Sequence, residues 1–174
     1  MKTALQLSAQ RKLRAADVLF ANGKWEKANM LYSGIAVPLS DVESAAYVAQ
    51  QRARCFARLG QPDEAFKHYN KFMREYRHTS LAGDALIRAG VLCAGPLGKP
   101  RDATRFFEAV TRDYPEKPSA EVAHLYLATL AWWTKQWREA ETLHKSFLEK
   151  YPDHPFRQDI LDVRLPAIAK REII

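Results

Sequence analysis

An alanine recurs in one local setting four times along the chain, at Ala28, Ala65, Ala103 and Ala140, in steps of 37, 38 and 37 residues. Four positions after each comes Tyr32, Tyr69, Phe107 or His144, and seven after comes Ile35, Phe72, Val110 or Phe147. Five before stand Gly23, Gly60, Gly98 and, breaking the pattern, Lys135. Eleven after the last three alanines come Tyr76, Tyr114 and Tyr151, with Pro115 and Pro152 following two of them. A phase held over four units at this period predicts a stacked array of helical repeats.

Each unit reads as two helices. The alanine and its +4 and +7 neighbours share one helical face, so the second helix presents an apolar stripe. The glycine five before the alanine sits in the turn, where a residue free to take positive φ closes the preceding helix. Pro62 and Pro100 then suit a first helical turn, whose N–H groups lack intrahelical partners anyway. Small residues recur in the first helices at Ala16, Ala53 and Ala128, with Val91 as the larger exception. Ser40 and Glu43 have the spacing of a capping box.

The spacing predicts helices over 3–21, 24–36, 41–59, 62–76, 80–94, 100–113, 119–134, 137–150 and a terminal one near 155–171. Pro166 is expected to kink the last, and Ile160, Leu161, Val163 and Ile168 to give it an apolar side. The repeats fall at about 9–40, 41–78, 79–116 and 117–154, followed by the capping helix, in one all-α domain spanning 1–174.

Composition narrows the class. Apolar residues make up 47% and charged residues 27%, as in an ordinary globular domain. The net charge of +7 comes from interspersed charges rather than one basic stripe, which argues against a nucleic-acid partner. No apolar run has the length of a membrane span, and the N-terminal residues lack the apolar core of a signal peptide. The sequence as written therefore reads as cytoplasmic; a cell-envelope location would require that a signal sequence had been removed.

Three constellations invite a chemical reading. Glu121 with His124, and Glu141 with His144, repeat the Glu-x-x-His spacing that supplies half of a di-iron carboxylate site. Two further inward glutamates are needed, and nothing in phase supplies them. His144 also occupies the aromatic column, where it can simply fill space. The run Cys93–Pro100 has the look of a phosphate loop, but a cysteine and a proline replace the required Gly and Ser/Thr, and no strand precedes. Cys55 and Cys93, 38 residues apart, share a column with Val18 and Leu130, which reads as buried thiols rather than a bridge. No catalytic residue, metal or cofactor is expected, and a helical metal-site enzyme is the minor alternative.

The Ala-x-x-x-aromatic of each second helix (Ala28/Tyr32, Ala65/Tyr69, Ala103/Phe107) and the closing prolines Pro115 and Pro152 resemble the tetratricopeptide-repeat family over residues 9–154. The family's first-helix Trp and Gly motif is not present, and the period exceeds its usual 34 residues. The unit endings REYRHTS, RDYPEKPS and EKYPDHP resemble those of bacterial cell-envelope members such as barrel-assembly lipoproteins and the Tol–Pal coordinator. The resemblance implies a right-handed superhelix whose first helices line a concave surface. It also implies a non-enzymatic scaffold for a protein or peptide.

By that resemblance the lining would hold the columns Gln10/Tyr47/Ala85/Val122, Leu13/Gln50/Arg88/Leu125, Asp17/Arg54/Leu92/Thr129 and Ala21/Arg58/Pro96/Trp133. Tyr47, Gln50, Arg54, Arg58, Arg88, Thr129 and Trp133 are the expected contacts. Guanidiniums beside aromatic rings suit an acidic partner. The alternative is a structural subunit that packs by its convex face or its ends.

Overall fold

The computed structural model describes residues 4–36 and 41–173, with side chains from residue 7 onward. Among the described residues every regular element is helical. The backbone divides into two compact units, Met1–Leu92 and Cys93–Ile174. The first holds α1 (Ala4–Ala21), α2 (Trp25–Ser33), α3 (Val42–Arg58), α4 (Pro62–Tyr76) and most of α5 (Ala82–Ala94). Here α1 packs on α2, α2 on α3 and α3 on α4. The second unit holds α6 (Pro100–Asp113), α7 (Pro118–Trp133) and α8 (Trp137–Lys150). A terminal segment follows: α9 (Arg157–Asp159), a π-helical turn (Ile160–Arg164) and α10 (Leu165–Lys170).

The turn chemistry follows the repeat. Gly23, Gly60 and Gly98 take φ of 72°, 70° and 59°. Lys135, where the glycine pattern breaks, is held at φ 61° all the same. Its N–H donates to the Trp132 carbonyl, and that of Gln136 reaches back to Ala131. Gly23 with Lys24, and Gly60 with Gln61, make the same pair of bonds, the Schellman closure of a helix. The backbone geometry is set by the stacking of the two helices, so Lys135 bears a strain that glycine would not.

One turn differs, and it corrects the expected register. In the loop after α5, the Lys99 N–H reaches six residues back to the Cys93 carbonyl, where its counterparts reach five. The extra residue of the 38-residue step therefore lies in this loop, and α5 itself remains in phase at 37. The small-residue column becomes Ala16, Ala53, Gly90 and Ala128, all buried. Val91, expected in it, is 38% exposed, and Leu92, expected in the lining, is buried. Cys93 consequently leaves the column of Cys55, although both thiols are buried and free. Val18 departs from its predicted burial and is 59% exposed. It lies on the face that later first helices press against a preceding unit, as Cys55 does in the cluster with Ala28 and Tyr32.

The core is the predicted stripe. Ala28, Ala65, Ala103 and Ala140 are wholly buried, as are Phe72, Phe107 and Val110. An alanine at the crossing lets two helix backbones approach closely, and the aromatic one turn later fills the space beside it. The expected capping box is not what starts α3. Asp41 caps the helix by accepting from the Ser44 N–H at 3.1 Å. Glu43 instead accepts from the N–H and hydroxyl of Ser80, ahead of α5. Ser40 lies outside the described residues.

The terminal segment packs on α8 through Ile160, Ala167 and Ile168. Leu161 and Val163, predicted on its apolar side, are exposed. The π-helical turn, which closes with Leu165 N–H on the Ile160 carbonyl, rotates them outward. Pro166 falls in the first turn of α10, and the irregularity precedes it rather than centring on it.

Candidate functional site

In the first unit the +4 rings organise the polar groups. The Tyr32 hydroxyl donates to Asp17 Oδ1 at 2.6 Å, and the Tyr47 hydroxyl donates to the same oxygen at 3.1 Å. Burial, then the Asp17 carboxylate, pushes the Tyr32 phenol well above its ordinary range. One carboxylate thus ties two successive first helices to the second helix between them.

One repeat later the equivalent positions are Tyr69, Arg54 and Asp84. Asp84 Oδ2 accepts from Gln50 Nε2 at 2.8 Å and from Arg88 Nε at 2.9 Å. Arg54 donates from Nη1 to Gln51 Oε1 at 2.8 Å and lies 4.7 Å over the Phe20 ring. Arg54 and Arg88 both act electrostatically on the buried Tyr69 hydroxyl, whose pKa burial raises. Arg54 stands where the first repeat has Asp17, and Asp84 where it has Tyr47, so the charge beside the ring is no longer a lone carboxylate. Each guanidinium spends a single donor on these partners out of five. Arg88 keeps 40% of its side chain exposed, and Arg58, one turn after Arg54 and the last residue of α3, is also exposed.

The structure thus gathers four of the expected residues, Tyr47, Gln50, Arg54 and Arg88, with Arg58 further along α3. Gln50 is buried and its amide serves Asp84, so it orients the acid rather than facing solvent. Asp84 is absent from the expected lining, and Val91 falls in the small-residue column there, because a uniform 38-residue step sets the register of α5 one residue late. The run Gly95–Gly98, with its proline, was the signal that the extra residue belonged to a loop.

Thr129 and Trp133 stand on α7 in the second unit. Trp133 is 56% exposed, and Val122 and Tyr126 extend the same stripe at helical spacing. Tyr126 stacks on Phe107 with ring centroids 5.0 Å apart. Thr129 Oγ1 accepts from Arg164 Nη1 at 2.9 Å and donates to the Leu125 carbonyl, so it holds the terminal segment.

The two Glu-x-x-His pairs do not converge. Glu121 lies 3.6 Å from His154, and Glu141 pairs with Lys145 at 2.6 Å. His124 Nε2 accepts from Lys150 Nζ, while His144 Nδ1 donates to the Ala140 carbonyl. Among the described residues no three His, Cys, Asp or Glu side chains are placed to hold a metal. Burial pushes the Cys55 and Cys93 thiols up to about 11, which keeps both protonated and unreactive near neutrality. No described helix is long and apolar enough to cross a membrane.

Residues 47–79 match the family model of the tetratricopeptide repeat. No curated protein matches the chain. Among solved structures, the chain is similar to a tetratricopeptide repeat protein from Parabacteroides merdae, at 20% identity and a TM-score of 0.69. That match covers 97% of this chain and 60% of the other, so the chain spans less than two thirds of that structure. BtubC (BKLC) from P. vanneervenii matches at 18% identity and a TM-score of 0.70, over 98% of this chain and 85% of its own. A Podosopora anserina structure with nearly identical TPR-like repeats matches at 15% identity and a TM-score of 0.69, covering 98% and 95%. The fold is one that generally mediates protein–protein interaction and is generally not enzymatic. Residues 47–79 are similar in sequence to the tetratricopeptide repeat, and the chain has the tetratricopeptide-repeat fold.

Proposed function

We propose that the protein is a non-enzymatic scaffold that holds an acidic protein or peptide segment against the exposed faces of its first helices. The observation that carries this reading is the pair Arg54 and Arg88, each half-buried and each engaging its neighbours through a single guanidinium nitrogen. Preorganised guanidiniums lose little side-chain entropy on binding and suit carboxylates geometrically. Tyr47 and Arg58 extend the contact along α3.

The test is a pull-down followed by titration of the captured partner against the full-length chain. Arg54→Glu with Arg88→Glu is expected to abolish binding with helix content unchanged. Wild-type affinity is expected to fall as salt shortens the Debye length from about 10 Å at 0.1 M to about 3 Å at 1 M. A partner held as tightly by the double variant would move the interface to another face.

A second reading, a structural subunit docking by its end, is favoured by Phe156, Leu161, Val163 and Ile173, all exposed on the terminal segment. A partner that binds the double variant normally but fails to bind Leu161→Glu with Val163→Glu would select it.

A further inference from the structure

His144 is the one member of the +4 column that can titrate near neutrality, and it is wholly buried. Its Nδ1 lies 2.7 Å from the Ala140 carbonyl, which only an N–H can approach favourably, so the proton sits on Nδ1. Nε2 is then a bare lone pair, sealed from solvent and reached by no donor. The Trp132 ring stands edge-on, 84° from the imidazole plane with centroids 6.4 Å apart.

The position of this ring matters more than its burial. On α8 it lies one turn after Ala140, which packs against Ala167 and Ile168 of α10, and one turn before Phe147 and Leu148, which pack against Ile160. The terminal segment therefore bears on α8 on either side of His144. The segment's last residues are held by the Trp132 indole N–H, which donates to the Glu172 carbonyl at 2.8 Å. The imidazole, the indole and α10 form one packed group.

The charges around it leave no site for an imidazolium. The terminal segment presents Asp159 and Arg164, already paired with each other at 2.6 Å. On α7, Glu121, His124 and Tyr126 engage His154, Lys150 and Phe107. Glu141 and Lys145, which flank His144 on α8, pair with each other.

We propose that His144 is a pH-sensitive latch: protonation of Nε2 releases the terminal segment from α7 and α8. The added proton turns an unpartnered acceptor into a buried cationic donor beside Arg164. Opening the segment hydrates it without unfolding α8, because α8 keeps its contacts with α7. The direction of titration agrees, since burial holds His144 below its ordinary value of 6.5. Release at mildly acidic pH would uncover Trp132, Ala131 and Ala140.

The reporter is the Trp132 indole proton, whose hydrogen bond to Glu172 breaks on release. Its exchange is measured by NMR on the full chain at about pH 7.5 and about pH 5.5, bracketing the ordinary histidine range. His144→Phe, which restores the aromatic of the other repeats, is measured beside it so that intrinsic exchange cancels in the ratio. Wild type is expected to lose protection relative to the variant on acidification, approaching about tenfold per pH unit below 6.5. An unchanged ratio would overturn the latch. So would increased wild-type protection, the result expected if Asp159 turned to accept from the imidazolium. Should His144→Phe fail to fold, His144→Gln, equally unable to titrate, gives the same comparison.

Discussion

The +4 position is read differently at the two ends of the repeat. In the first repeat Tyr32 reaches Asp17, and the bond is shared with Tyr47 on the next first helix. In the fourth, His144 bonds only the carbonyl of its own helix and leaves Nε2 without a partner. Both rings are buried, and each follows the close-packed alanine of its own repeat by one turn. The first is a satisfied network that fixes three helices, and the second is an apolar contact carrying an unmet polar atom. An identical packing role therefore tolerates either a joint or a weak point, and the neighbouring side chains determine which.

Substitutions can break or sharpen that contrast. The largest effect is expected where the column is purely apolar: Phe107→Ala should cost about 3–5 kcal/mol, because its surroundings cannot collapse to fill the space. Denaturant midpoints would check this, and a cost below that of a surface change would show the ring is not a core anchor. Tyr32→Phe should cost about 1.5–3 kcal/mol, the value of a hydrogen bond to a charged group, with Asp17 left to Tyr47 alone. His144→Phe should instead be neutral or stabilising near neutral pH, since it removes a buried atom that has no partner. Equal costs at Tyr32 and His144 would erase the distinction.

Acidification sharpens it further. Burial holds His68, His124 and His144 below their ordinary 6.5, with neighbouring cations adding to the effect. As pH falls past 6.5 the unfolded chain takes up protons first, so stability is full above that value and declines below it toward the folded-state values. Thermal melts across this range should show the decline, and His144→Phe should remove part of it.

The smallest effect concerns the turns. Lys135→Gly should stabilise by about 0.5–1 kcal/mol, the relief of a left-handed backbone less the entropy glycine loses on folding. Gly60→Ala should cost about 0.5–1 kcal/mol by the same balance, since a Cβ there meets nothing within 4 Å and only φ opposes it. Stability unchanged by Lys135→Gly would mean that the lysine makes a compensating contact.

The sequence determined the helices and their pairing. Ala28, Ala65, Ala103 and Ala140, with the rings beyond them, are legible because burial demands a fixed period along an amphipathic helix. The glycine turns were legible because few residues accept positive φ cheaply. Even Lys135 could be placed in the glycine slot, although its left-handed backbone could not be read from a lysine.

The tertiary structure decided what a period cannot encode. It placed the extra residue of the third unit in the loop before Lys99, which moved Asp84 and Val91 into the exposed register and took Leu92 out of it. It turned Gln50 inward onto Asp84 and paired Glu43 with Ser80, 37 residues away. Each of those choices depends on which side chains meet across different helices, and on how each buried polar atom finds a partner. Residue spacing along one helix carries no record of that.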